Sequence, residues 1–255
     1  MATESDDGCA VRVAIAAGRL LVEERGRPRE VDEDTADVAA DRLIRELLAD
    51  AHPTDVILSE ELASSGDRQT AERVWIVDPL DGTREYNENG RTDWAVHVAL
   101  WQSGQLVAGV VALPARNAVW STADPVPAQP PARIRRIAVS RSRPPAWAVE
   151  VAAAFGAELV PMGSAGAKTV ATLTGEVDAY LHDGGQYEWD SAAPAVVARH
   201  YGMHVSRADG SALEYNKPDP WSPDLVVCSP SHAARLLTVI ACARTGLRDA
   251  KEHVS

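Results

Sequence analysis

The sequence predicts a mixed fold, α+β in its first half and α/β in its second. Three observations carry this. Two helical stretches precede any strand. Three strands with only turns between them follow. Beyond residue 133, short apolar strands alternate with helical segments, the α/β manner.

Taken in order, residues 8–25 place Val11, Ala14, Ile15, Gly18, Leu21 and Val22 at helical spacing. A second helix fits 34–50, with Val38, Leu43, Ile44, Leu47 and Leu48 inward and His52-Pro53 as its stop. VILS (56–59) and VWIVD (74–78) are short, β-branched and end on polar residues, as strands do whose C-terminal ends are in use. Leu62 to Arg73 between them is polar and reads as a surface loop or short helix. WAVHVALW (94–101) and LVAGVVALP (106–114) frame the turn Ser103-Gly104, and AVWST (118–122) completes a meander. TADPVPAQPPAR (122–133), rich in proline and alanine, is the best linker candidate. It divides the chain into an N-terminal half, 1–130, and a C-terminal half, 131–255, expected to form one compact unit. The second half reads as a strand at 137–140, a helix at 145–155, a strand at 158–161, a helix at 165–175 and a strand at 178–181. A helix at 190–200, strands at 203–206 and 225–228 and a helix at 231–244 follow.

The 255 residues are 45% hydrophobic, enough to bury a sizeable core. A formal net charge of −12 argues against sequence-independent nucleic-acid binding, which needs a basic footprint. It leaves room for a small anionic substrate if a metal supplies local positive charge. Cys9, Cys228 and Cys242 are odd in number and form no CxxC pattern, so a reducing cytoplasm is expected rather than a disulfide framework or zinc site. The start, MATESDDGCAVRVA, lacks the basic and apolar regions of a secretory signal. No apolar run reaches the ~18 residues of a membrane span.

The chemistry concentrates in acidic residues. Glu60-Glu61 follow VILS, Asp78 and Asp81 crowd one turn in WIVDPLDGTREY, and Asp190 stands in EWDSAAP. Each has an ordinary alternative: Asp190 as a helix N-cap, Glu60 and Glu61 as solvated loop residues. Together they fit a hard divalent ion, which takes carboxylates, carbonyls and water. DPLDGT offers two carboxylates and the Leu80 carbonyl in one turn. Pro79 fixes φ there, and Gly82 lets the backbone approach a bound group. N–H groups at Gly82-Thr83 would face a bound anion.

SEE (59–61), DPLDGTREY and WDSAAP, in this order and spacing, resemble the inositol monophosphatase superfamily of Mg²⁺-dependent, lithium-sensitive phosphatases, over nearly the whole chain. Tyr86 stands where phenylalanine is commoner. Within it, the runs DWAVHVALW (93–101), GSAGAK (163–168) and GGQYEWDSAAP (184–194) are most similar to the CysQ-type 3′(2′),5′-bisphosphate nucleotidase branch, its actinobacterial members especially.

The resemblance implies a layered α-β-α-β-α sandwich. Its N-terminal half would bind metal and phosphate, and its C-terminal half would bind substrate. It implies a cytoplasmic enzyme of sulfur metabolism that removes the 3′-phosphate of adenosine 3′,5′-bisphosphate and can take the sulfated precursor. Inositol phosphate, fructose 1,6-bisphosphate or another metabolite is the alternative substrate, and a non-catalytic Mg²⁺- and nucleotide-binding regulator the alternative of another class. A homodimer is an assembly such proteins use.

Carried over by position, Glu60, Asp78 and the Leu80 carbonyl hold one Mg²⁺, and Asp78, Asp81 and Asp190 a second. Glu60 and Glu61 approach a weaker third. Thr83, hydrogen-bonded to Asp37, would orient and deprotonate the attacking water, with Asp32, Asp34 and Asp41 as competitors for the role of Asp37. Gly82 and Thr83 would meet the phosphoryl oxygens. Substrate contacts would come from Ser164, Gly166 and Lys168 at a helix start, and from Gly185 and Tyr187, the latter stacking on a purine. Ordinary helix-start and loop-packing roles compete for all five. Typical nucleotidases carry an arginine where His182 and Asp183 stand here.

Overall fold

The computed structural model describes residues 4–27, 35–61, 67–125 and 133–252. Most of the expected linker, Leu62–Gly66 of the expected loop, and Asp32 and Asp34 lie outside them. The first helix, α1 (Asp6–Glu24), starts where the Ser5 hydroxyl accepts the Gly8 N–H at 3.1 Å, with Asp6 and Asp7 in the first turn. It packs beside α2 (Ala36–Ala51), and both bury aliphatic stripes, Val13, Ala17 and Leu21 on one and Ala40, Ile44 and Leu48 on the other.

Those stripes cover one face of a five-stranded sheet of order β1-β2-β3-β4-β5. Strand β1 (Val56–Ser59) runs parallel to β2 (Arg73–Asp81). From β2 the meander through β3 (Ala95–Gln102), β4 (Gln105–Leu113) and β5 (Ala118–Ser121) is antiparallel, as the two-residue turn requires. Alternation then sorts the sheet's residues. Trp75, Val77, Val96 and Val98 face α1 and α2, while Val74, Ile76, Ala95 and Ala99 face the other way.

On that second side lie α5 (Ala165–Leu173) and α6 (Glu188–His200), which also cover a second sheet of order β7-β6-β8-β10-β9. Its strands are β6 (Arg136–Ser140), β7 (Glu158–Met162), β8 (Ala179–Tyr187), β9 (His204–Ser206) and β10 (Trp221–Cys228). Helices α4 (Ala148–Phe155) and α7 (Pro230–Glu252) close its outer face against Ile137, Leu181, Val226 and Cys228. The result is the expected layering of helices, sheet, helices, sheet, helices. Among the described residues no helix is long and apolar enough to cross a membrane.

Two strands outrun their expected ends. Strand β2 continues through DPLD, because Asp78 pairs with His97 and Asp81 with Ala95, and the two intervening residues form a bulge. Strand β8 continues through His182-Asp183-Gly184-Gly185-Gln186-Tyr187, where paired glycines suggest a loop. Pairing with β10 holds it, Tyr187 against Trp221 and Asp183 against Asp224, and a register shift absorbs the glycines at φ +77° and +74°.

Candidate active site

Three elements converge at one end of the central helical layer: the β2 bulge and the starts of α5 and α6. The bulge turns Asp78 and Asp81 to the same side, and Asp190 comes from the first turn of α6. One carboxylate oxygen of each lies within 4.8 Å of the others. Asp78 and Asp81 are buried. The Leu80 N–H donates to Asp78 Oδ1 at 3.0 Å, locking the turn on itself. Beyond it Gly82 takes φ +91°, a left-handed conformation that tucks the backbone under Asp93 and Ser164, and α3 (Thr83–Asn87) begins.

Crowding like charges away from water is expensive, and the protonation equilibria register it. Burial, then the charges of Asp81, Glu60 and Asp190, drive the Asp78 carboxyl well above its ordinary range. Asp190 is pushed up to about 8, by burial and then Asp81, against the pull of the Tyr187 N–H, which donates to its Oδ2 at 2.7 Å. An all-oxygen, triply acidic donor set of this kind suits a hard divalent cation, whose charge would reverse the penalty.

Asp81 is the most heavily supported of the three. Ser164 Oγ donates to its Oδ2 at 2.5 Å, and the Gly166 N–H at 2.9 Å. Ser164 also caps α5 by accepting the Ala167 N–H at 2.9 Å, at a φ of +50°. Lys168 is buried and donates to the carbonyls of Gly163 and Ser164 at 3.1 and 2.6 Å. Burial lowers its pKa to about 8 in spite of the surrounding carboxylates. The GSAGAK segment therefore serves first to build the carboxylate turn, with Lys168 still facing the cleft.

That cleft is a cavity of about 350 Å³ lined by Glu60, Asp81, Gly82, Thr83, Lys168 and Asp190, among others. Ser164 and Gly185 also reach it, and the chain's arginines enter through Arg84, Arg141 and Arg143. The Glu60 carboxyl, exposed at the edge of the cleft, is raised to about 7, by partial desolvation and then by Glu61 and Asp81. Glu61 is raised as well, by burial and then by Asp37 and Asp41, which places it on the α2 side rather than in the group of three aspartates. Thr83, which lines the cleft, also lines with Asp37 and Leu80 a second cavity of about 480 Å³. There Thr83 Oγ1 donates to the Leu80 carbonyl at 3.3 Å rather than to Asp37, whose Oδ1 accepts from the Thr35 hydroxyl and the Val38 N–H. Asp41, the other candidate on α2, is engaged by Arg45 and the Ser59 hydroxyl. Tyr187 is 43% exposed and stacks on Trp189 at 4.8 Å and 12°.

A model of the inositol monophosphatase family matches residues 3–245. The chain belongs to that family. Among curated relatives, the 3′-phosphoadenosine 5′-phosphate phosphatase of Mycobacterium leprae is 48% identical over 92% of this chain and 93% of its own length. The 3′(2′),5′-bisphosphate nucleotidase CysQ of Escherichia coli K12 is 31% identical over 71% and 78%. Among solved structures, inositol monophosphatase II of Staphylococcus aureus superposes with a TM-score of 0.79 over 96% of this chain and 97% of that one, at 19% identity, a likeness of fold.

For an inositol monophosphatase family chain, several residues here have supporting roles that the motifs do not reveal, although Glu85 stands in DPLDGTREY and Asp93 and His97 in DWAVHVALW. His97, wholly buried, puts Nε2 3.2 Å from Asp81 Oδ2. Its alternation within β3 marks it only as inward-facing. Asp93 accepts the Gly163 N–H at 2.7 Å, fixing the α5 approach against β3. Glu85 is buried and gripped by Arg141 Nε and Nη2 at 3.0 and 2.8 Å, which ties α3 to the loop after β6. Arg25 donates to four carbonyls around α3. All of these are long-range in sequence, and no local spacing announces them.

Proposed function

We propose that this phosphoric monoester hydrolase removes the 3′-phosphate of adenosine 3′,5′-bisphosphate in a Mg²⁺-dependent reaction. The observation that carries the reading is the Asp78–Asp81–Asp190 group, two members of which line a cleft shared with Lys168 and arginines. The names of the relatives from Mycobacterium leprae and Escherichia coli support the substrate. In this reading residues 1–130 supply most of the metal and phosphate ligands, and residues 131–255 complete the cleft on the substrate side.

Asp78, Asp81 and Asp190 would hold one ion, and Glu60, Asp78 and the Leu80 carbonyl another, with Glu61 near a third. Bound there, such ions supply Lewis acidity toward phosphoryl oxygens and lower the pKa of water. The chain's own groups do the positioning. Gly82 and Thr83 line the cleft beside Asp81 and would direct N–H groups at the phosphate. Thr83 gives its proton to the Leu80 carbonyl, so its oxygen lone pairs are free to accept from the attacking water. Asp37, across the same cavity, would take that water's proton. Arg84 and Arg143 would draw the anionic substrate in against the acidic net charge.

Phosphate release with Mg²⁺, with and without Li⁺, is to be compared for adenosine 3′,5′-bisphosphate, inositol 1-phosphate and fructose 1,6-bisphosphate. The nucleotide should lead in kcat/KM, with Li⁺ inhibiting. Asp81→Asn and Asp190→Asn should fall below about one hundredth of the parent rate while keeping a cooperative melt. Full activity in either variant, or a preference for inositol phosphate, would overturn the proposal.

A further inference from the structure

We infer that His97 is a positioning residue, a buried wedge that holds Asp81 against Asp78 and Asp190 so that the metal site is preformed. The inference rests on reading those aspartates as metal ligands.

The ring touches the three elements that converge on the aspartates, β2, α5 and α6. His97 pairs directly with Asp78 across β2 and β3, and its Nδ1 lies 3.9 Å from Asp78 Oδ2. The same Nδ1 is 3.3 Å from the Trp189 carbonyl in the first turn of α6. A carbonyl only accepts, so Nδ1 carries a proton and donates to it. On the other edge, Nε2 sits 3.2 Å from Asp81 Oδ2 without the alignment of a hydrogen bond. That oxygen is already taken by Ser164 Oγ and the Gly166 N–H. Among the described residues, nothing donates to Asp81 Oδ1.

The packing explains why a ring fits here. Gly166 is the α5 residue that faces His97. A Cβ on it would overlap His97 Nε2, and would press on Val111 and Ala95 as well. The absent side chain at residue 166 is therefore the space that the imidazole occupies. With β2, α5 and α6 all packed on one ring, the Asp81 carboxylate cannot turn away from Asp78 and Asp190 into the space the ring fills. Without the ring, Asp81 could swing into the vacated volume, and the cost of gathering the carboxylates would fall on metal binding. Groups that orient metal ligands typically change affinity by about 10–100-fold when removed.

Mn²⁺ is the probe, its binding followed by calorimetry and by electron paramagnetic resonance in the absence of substrate. His97→Ala should weaken Mn²⁺ binding about tenfold or more, and raise the Mg²⁺ concentration for half-maximal phosphate release by a like factor, with KM at saturating Mg²⁺ little changed. His97→Gln, which restores a planar polar group of nearly the same reach, should recover most of the loss. Gly166→Ala, whose Cβ presses on the Nε2 edge and displaces the ring while keeping it, should weaken Mn²⁺ binding too, and it decides the matter if His97→Ala does not fold. Mn²⁺ affinity within about twofold of the parent in folded His97→Ala, or in Gly166→Ala, would overturn the inference. A parent protein that binds Mn²⁺ but releases no phosphate would instead overturn the proposed reaction and leave the His97 comparison intact.

Discussion

Removing the Arg25 guanidinium should destabilise the protein well beyond what a half-buried surface arginine ordinarily contributes. At the end of α1 it donates from Nε to the Tyr86 carbonyl at 2.8 Å and from Nη1 to the Arg91 carbonyl at 2.9 Å. Its Nη2 reaches the carbonyls of Glu85 and Glu88 at 3.2 and 2.8 Å. These acceptors lie in α3 and the turn after it, where a short helix leaves carbonyls without partners. The same guanidinium lies 5.6 Å from the ring centres of both Tyr86 and Trp94. A charged hydrogen bond contributes about 1.5–3 kcal/mol when its partner is left dry, and about 1 where water can replace it, as at this half-exposed site. Four such bonds and a modest cation–π attraction of ~0.5 kcal/mol total about 4.5 kcal/mol. For a chain of this length that is about 9–18 °C in Tm. Arg25→Met keeps the aliphatic stem and deletes the fork, so a thermal melt followed by circular dichroism isolates the hydrogen bonds. Arg25→Lys should recover less than half the loss, because one ammonium cannot span four acceptors. KM should rise in Arg25→Met, since α3 carries Thr83 and Arg84 into the cleft. A melt within about 2 °C of the parent would refute the idea that Arg25 closes α3.

Two further outcomes follow from particular geometries. Gly82→Ala should cost about 1–2 kcal/mol, because an L side chain at φ +91° is strained and its Cβ would lie 3.3 Å from the Asp93 carbonyl and Ser164 Cβ; phosphate release should fall more steeply than Tm, and equal falls would argue against a role for that turn in catalysis. Asp224 is buried, which by itself raises its pKa, but Arg207 at 2.6 Å, the Ala208 N–H at 2.9 Å and Arg244 at 3.2 Å outweigh burial and hold it below the ordinary range. A depressed folded-state pKa stabilises above the unfolded value of ~3.9 and is lost as pH falls through the folded one, so Asp224→Asn should cost about 3 kcal/mol near neutrality and progressively less toward about pH 3. A pH-independent difference in Tm would show that the Asp224 charge is not the stabilising feature.

Much of the fold was legible because local periodicity and global layering agree. The meander from β2 to β5 is written in alternating apolar runs and one Ser-Gly turn. Strand β1 ends at Ser59 as its composition indicates. The misread ends lie where pairing overrides local signals, in the DPLD bulge and in the two glycines of β8, whose strand character comes from β10, more than thirty residues away. The site divides in the same way. Asp78, Asp81 and Asp190 announce themselves through motif spacing and meet as expected. The segment GSAGAK was legible as a helix start, but not as the support of Asp81, because that depends on which side chain the chain crossing brings opposite. Likewise Thr83 and Asp37 do share a cavity, yet each satisfies a nearer backbone or hydroxyl partner.

The distribution of support among the three aspartates has a physical logic. Asp78 is fixed within its own turn by the Leu80 N–H, and Asp190 within the first turn of α6 by the Tyr187 N–H. Neither bond depends on how β2 sits against α5. Those of Asp81 do, because its Oδ2 is held by Ser164 and Gly166, which come from the other half of the chain. The bonds to Asp81 therefore report whether the N-terminal sheet and the α5 start are in register. The cleft is lined from the same regions, by Asp81, Gly82 and Thr83 at the end of β2 and the start of α3 and by Ser164 and Lys168 at the start of α5. Any displacement of α5 relative to β2 would thus loosen Asp81 and alter the cleft together, because the same contacts set both.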